Sequence, residues 1–283
     1  VDASLVVNRL THIGYELKNA REMYGVLTGM VNTMVNMPAV ITLSFSMSLV
    51  PAVSSALTKK DQQGLQRMIS TGLKLALMIG SAAAVGMGLL SHQILRLLYA
   101  SQPENCLELG GQLLAIMSVG VLFLAVVQTT TGMLQGLGKP SYPVKTLLVG
   151  IVAKTVLNYV LIGIPQINVL GAAIATVVCY AIAALGNVYM VLKLSKTKLK
   201  PVDALVRPAL AAGGMGAAVW GFVRLMGGRL GNTMLTLGAV CLGVLVYAVL
   251  AFVLRALSKE DLALIPGGRR VARLMDKLGG KKA

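Results

Sequence analysis

Apolar positions along the chain gather in runs too long for a buried strand and too uniformly apolar around the helical wheel for a surface helix. Seven runs predict helices: Tyr24 to Ser54, Met68 to Leu98, Leu109 to Leu137, Val144 to Ile164, Val169 to Leu192, Leu205 to Met226 and Leu230 to Leu254. About 20 residues suffice to cross roughly 30 Å of hydrocarbon, and the longer runs have length to tilt or project. Both alternate faces of each run are apolar, which excludes barrel strands with their period of two. The opening "VDASLVVNRL" is too short to span, so it is expected to be the end of a helix that starts earlier, and the chain a C-terminal piece of a longer protein.

The predicted fold class is therefore all-α, a polytopic transmembrane helical bundle. Its expected divisions are the end of a truncated helix over 1–10, a bundle of about five spans over 11–195, two additional spans over 196–257, and a basic amphipathic tail over 258–283. Composition agrees: 56% of residues are hydrophobic and mean hydropathy is +0.76, against about 45 to 50% apolar residues in soluble proteins.

The net charge of +16 would suit a nucleic-acid binder if the cations formed one surface. They do not. "TKKDQQGLQR", "GKPSYPVK", "KLSKTKLKPVDALVR" and the tail after Leu254 hold most of them, and all four fall on one side of an alternating bundle. The opposite side has "ASQPENCLEL", "PQIN" and "GGR". The positive-inside rule then places the protein in the cell membrane with its C-terminus in the cytoplasm. "THIGYELKNARE", with Lys18 and Arg21 balanced by Glu16 and Glu22, runs against the rule and is read as an amphipathic connector. In the tail, Val271, Leu274, Met275 and Leu278 share a helical face, with Arg270, Arg273 and Lys277 elsewhere. That suits a helix lying on an anionic inner leaflet; a solvated basic tail is the alternative.

Enzymatic chemistry finds no foothold. Cys106 is placed in a loop, Cys179 and Cys241 inside apolar runs, and His12 and His92 stand far apart. No zinc spacing, serine nucleophile elbow or GxxxxGK[ST] loop is present, so no metal, no cofactor and no catalytic residue is expected.

What remains is polarity inside the spans. Lys154 sits near the centre of "GIVAKTVLNYVLIG", with Asn158 one turn later. A central lysine costs about 2.5 to 3.5 kcal/mol, which the surrounding Leu, Ile and Val residues offset. Intramembrane charges face a wet cavity or a partner in the bundle, so Lys154 is read as a cavity cation, with a snorkelling or internally paired structural lysine as the alternative. Asn32 and Asn36 follow Thr28 at four-residue spacing on the first full span, ahead of Pro38, which removes a backbone donor and kinks the helix. Gln128, Thr131 and Gln135 repeat the pattern on the third span. Polar packing between helices is the plainer account of each stripe, but three stripes on separate helices suggest a substrate path, with Pro38 at a gate.

Several stretches together resemble a known family: "MVNMPAVITLSFSMSLVPAVSSA", "QILRLLYA", "MLQGLGKPSYPVKTLLVGIVAKTVLNYVLIGIPQINVLGAAIATVVCYAIA" and "SKEDLALIPGG". They look like the polysaccharide-export branch of the multidrug/oligosaccharidyl-lipid/polysaccharide flippase superfamily, over nearly the whole chain. The resemblance implies two helical lobes around a central cavity, followed by two extra C-terminal helices. This chain would supply the second lobe and the extra helices, with the first lobe as its missing partner. Lipid II flippases of that group carry cavity arginines largely in the first lobe; where they have a cation on the helix matching Tyr24 to Ser54, this chain offers Asn32, Thr33 and Asn36.

The function expected is a flippase moving undecaprenyl-pyrophosphate-linked glycans, such as peptidoglycan or polysaccharide precursors, across the cytoplasmic membrane by alternating access. Lys154 would offset phosphate charge, and Asn32, Asn36, Asn158, Gln128 and Gln135 would hydrogen-bond sugar or water. One rival is a cation-coupled multidrug exporter of the same superfamily, which would want carboxylates within the membrane. Another is a non-transporting membrane scaffold or receptor.

Overall fold

The computed structural model describes residues 2–197 and 202–254, and the proposed tail over 258–283 lies outside them. Ten α-helices follow in order: α1 Asp2–His12, α2 Leu17–Gly25, α3 Asn32–Thr58, α4 Gln62–Leu89, α5 Ser91–Leu98, α6 Glu104–Gly136, α7 Ser141–Ile162, α8 Leu170–Ser195, α9 Arg207–Met226 and α10 Asn232–Val253. No strand occurs among the described residues. Seven segments are long and apolar enough to cross a membrane, the first being α2 and α3 joined through a π-helical turn, Val26–Val31.

Each break in the helical pattern has a local cause. Gly14 takes φ 103, in a region that favours glycine, to turn the chain between α1 and α2. Asp61 starts α4 by accepting from the Gly64 N–H at 2.9 Å, which satisfies one of the helix's orphan donors. The residues "QQGLQR" expected in a loop are thus the opening turns of α4. Near the other end the expected Met68 to Leu98 run divides at Leu90, which leaves helical geometry at φ −104, ψ 17 and redirects the chain into α5. The expected connector "THIGYELKNARE" is a turn followed by α2, which runs on without interruption into the membrane helix.

Helix α6 is the centre of the bundle, packing on α3, α4, α5 and α8. Close approach to α3 rests on two glycines. A Cβ at Gly132 would lie 2.5 Å from the Ser46 carbonyl oxygen, and one at Gly136 would lie 2.8 Å from that of Val50. In lipid, where apolar burial does not drive helices together, such backbone proximity is what association depends on. Helix α7 is the outermost of this group, leaning on α8 and touching α1. The last two helices pair with each other and rest on α4 and α5, where the Tyr247 hydroxyl donates to the Met78 carbonyl at 2.8 Å and Asn232 Nδ2 to that of Gln93 at 3.2 Å.

Candidate functional site

The α3 helix presents two different faces. Met34, Val35, Thr42, Phe45, Ser46 and Leu49 are buried against the bundle, whereas Thr33, Asn36, Val40, Ser44, Met47 and Ser48 are exposed. The hydroxyls on the open face donate to their own helix: Thr33 to the Gly29 carbonyl at 2.6 Å, Ser44 to that of Val40 at 2.9 Å, and Ser48 to that of Ser44 at 3.2 Å. Their oxygens keep lone pairs free to accept from a visiting donor. Asn36 is exposed, while Asn32, one turn earlier, is half-buried. Pro38 and Pro51 both lie inside α3.

Gln128 belongs to the seam between α6 and α3. The Thr42 hydroxyl engages its Oε1, and the Ser46 hydroxyl donates to its main-chain carbonyl at 2.6 Å. Its side-chain carbonyl is therefore a stitch between helices. Gln135, two turns further along α6, is exposed near the helix end.

A second polar seam joins α7 to α8. Thr146, Gly150, Lys154, Asn158 and Ile162 recur every four residues along α7 and so share one stripe. Along it, a Cβ at Gly150 would lie 2.8 Å from the Cys179 carbonyl oxygen of α8, and the Thr146 hydroxyl donates to Asn187 Oδ1 at 2.6 Å. Asn158 is 1% exposed and Asn187 fully buried. Lys154 is half-buried within this row, and it and Asn158 both have interaction partners.

The sequence-predicted residues thus divide between two seams. Asn32, Asn36 and Gln128 stand along α3 and α6, whereas Lys154 and Asn158 lie on α7, whose principal neighbour is α8. Two further residues join the picture. Lys74 is a second cation within a span, half-buried on α4; its setting in "GLKLALM" is the same signal that singled out Lys154. Asn187 had no sequence signal beyond its polarity. Cys106, expected in a loop, is instead buried in the first turn of α6, its thiol donating to Glu22 Oε1 at 3.0 Å. Among the described residues no group of three or more His, Cys, Asp or Glu could hold a metal.

Comparison with known proteins fits this architecture. Residues 27–160 match the MatE family model. Just under half of the chain is thus similar to the MatE family. Asn32, Asn36, Pro38, Gln128, Gln135, Lys154 and Asn158 all fall inside the matched stretch. The matched stretch and its flanks are homologous to stage V sporulation protein B of Bacillus subtilis, 25% identical over 265 residues, covering 93% of this chain and 49% of that protein. They are also homologous to the lipid II flippase MurJ of the same bacterium, 28% identical over 172 residues, covering 61% of this chain and 31% of that one. Probable multidrug resistance proteins match as well. A solved structure of lipid II flippase MurJ in an inward closed conformation superposes with a TM-score of 0.62 at 16% identity, covering 89% of this chain and 51% of the other. That likeness shows that the chain shares the fold of the matching half of that structure. The chain spans about half the length, or less, of the relatives it matches.

Proposed function

We propose that this chain is the second lobe, with two additional spans, of a flippase that moves lipid-linked glycans across the cytoplasmic membrane by alternating access. The observation that carries the reading is the open face of α3, a proline-containing helix on which Thr33, Asn36, Ser44 and Ser48 stand exposed among apolar side chains, left unpacked by its own lobe. A first lobe facing it would enclose a cavity between them, and rocking of one lobe against the other would expose that cavity to each side in turn. The sugars would meet Asn32, Asn36 and the serine and threonine oxygens of α3, while the carrier tail stays in the bilayer.

The pyrophosphate needs a cation, because an unpaired anion in low dielectric is costly. Lys154 fills that role from α7, its part-exposed side chain leaving the ammonium a route out of the α7–α8 seam. Asn158 steadies the same helix face. Gln128 and Gln135 complete the path along α6, the first by holding α3 in place and the second at the basic end. The basic end is assigned to the cytoplasm, and the tail over 258–283 to the anionic inner leaflet.

The rival reading, a cation-coupled multidrug exporter, draws on the multidrug relatives. It is disfavoured because every acidic residue among those described lies in a loop, at the first residue of α1 or within two turns of the end of a membrane-spanning segment. The deciding experiment places the full-length protein in two strains, one lacking its glycolipid flippase and one lacking its drug exporters. Rescue of the first without drug resistance in the second is expected. Drug resistance without glycolipid rescue would reverse the assignment.

A further inference from the structure

At the basic end of the bundle, a cavity of about 540 Å³ opens between the first turns of α4 and the end of α8. That lies within the range of small-ligand sites, about 300 to 1,000 Å³. Its described lining is Gln63, Gln66, Arg67, Ser70, Lys196 and Thr197: two cations, two amides, two hydroxyls and no carboxylate. None of these residues lies on α3, and none belongs to the proposed substrate path.

The cavity is also built with effort. Lys196 adopts the left-handed conformation, φ 54 and ψ 29, just after α8. Glycine holds such positions without steric cost, and a β-carbon is disfavoured there. The strain is held in place by four hydrogen bonds. Gln62 Nε2 donates to the Ser195 carbonyl at 2.6 Å and Gln66 Nε2 to the Lys196 carbonyl at 3.0 Å. The buried Ser195 hydroxyl donates to the Val191 carbonyl at 2.7 Å, so it receives the hydroxyl of buried Thr197, also at 2.7 Å. Lys60 and Asn168 share this left-handed conformation, a common way to end a helix; what sets Lys196 apart is that Gln66 holds its carbonyl while its side chain lines the cavity.

The electrostatics agree. The C-terminal carbonyls of α8 carry partial negative charge and would repel an anion, but the two glutamine amides occupy the Ser195 and Lys196 carbonyls. Helix α4 borders the cavity with its first turns, Gln63 among them, and the Asp61 carboxylate caps that helix end, so the positive charge at the cavity comes from Arg67 and Lys196 rather than from the helix terminus.

We propose that this cavity binds the phosphate of an anionic lipid headgroup from the membrane leaflet at the basic end. Arg67 and Lys196 supply the charge, Ser70, Thr197 and the Gln63 amide the remaining hydrogen bonds. Leu194, exposed two residues before Lys196, offers the acyl chains an apolar rim. The inference stands apart from the transported substrate, because it concerns a peripheral site at one end of the lobe.

The test uses the purified full-length protein and native mass spectrometry of retained lipid after titration with phosphatidylglycerol, phosphatidylcholine or inorganic phosphate. Lys196→Gln is expected to weaken phosphatidylglycerol binding at least tenfold. Lys196→Arg should restore it, and Lys139→Gln, which removes a charge from the loop after α6, outside the cavity lining, should leave it unchanged. Lys196→Gly is expected to raise the melting temperature in lipid-free detergent while losing the lipid, a pairing that a merely structural lysine would not give. Equal phosphatidylglycerol binding by the wild type and Lys196→Gln would overturn the site. Inorganic phosphate that displaced phosphatidylglycerol completely at millimolar concentration would overturn the lipid assignment.

Discussion

The Thr146 hydroxyl donates to Asn187 Oδ1 at 2.6 Å, across a seam in which Asn187 is fully buried. The Nδ2 of Asn187 has no hydrogen-bond partner in the structure. Thr146 would not be stranded by losing the contact, because its hydroxyl also reaches the Pro143 carbonyl at 3.0 Å. Asn187→Leu, of similar volume, should therefore be neutral or stabilising by about 1 kcal/mol, since a buried unsatisfied donor is removed. Asn187→Asp should destabilise by about 3 kcal/mol or more, through burial of a charge. Thermal unfolding in detergent, followed by loss of the monodisperse elution peak, checks both.

Helices α3 and α6 should tolerate no methyl group at their crossing. Gly132→Ala places a Cβ 2.5 Å from the Ser46 carbonyl oxygen, and Gly136→Ala one 2.8 Å from that of Val50, so backbone must move in each case. A loss of about 2 to 3 kcal/mol is expected, in the range of overpacked cores. Gly213→Ala meets nothing within 4 Å and should be neutral or slightly stabilising, as a helical glycine replaced by alanine normally is. Folded yield and melting temperature of the three variants give the comparison.

How much of this was legible in sequence follows from what each pattern depends on. The seven spans were readable because hydrocarbon imposes a length and a composition on every crossing helix, whatever it packs against. The π-helical turn at Val26–Val31 and the break at Leu90 were not, since neither contains a proline and the glycine of the first, Gly29, is a residue that membrane helices commonly carry. The polar positions were found, but their grouping was not: a stripe shows that Lys154 and Asn158 share a face, while only the packing of α7 on α8 shows which neighbour that face meets. Lys74 carries the same signal as Lys154, but a span begun at Met68 puts it within two turns of a helix end, whereas α4 starts at Gln62 and sets it deeper.

Pro38 should trade stability for motion. Its ring removes the backbone donor that would bond to Met34, and an interior proline costs about 3 kcal/mol in a soluble helix. Pro38→Ala restores the donor and is expected to raise the melting temperature while lowering transport at least fivefold. Transport at the wild-type rate would remove Pro38 from the gate.

The sidedness of the bundle can be read with single cysteines in a background lacking Cys106, Cys179 and Cys241. Lys139 and Gln166 are both exposed, in the loops after α6 and α7 respectively. Gln166→Cys is expected to react with a membrane-impermeant maleimide in intact cells, and Lys139→Cys only after permeabilisation. The reverse pattern would put the basic end, and with it the C-terminus, outside.

The account turns on Lys154 meeting the phosphate of a lipid-linked glycan. Its direct test is translocation of a labelled undecaprenyl-pyrophosphate glycan by the full-length protein in proteoliposomes, comparing wild type, Lys154→Ala and Lys154→Arg at equal amounts of folded protein. A charge-assisted contact contributes about 1.5 to 3 kcal/mol, so Lys154→Ala should slow translocation roughly tenfold to a hundredfold, and Lys154→Arg should retain most of it. Undiminished translocation by Lys154→Ala would contradict the account.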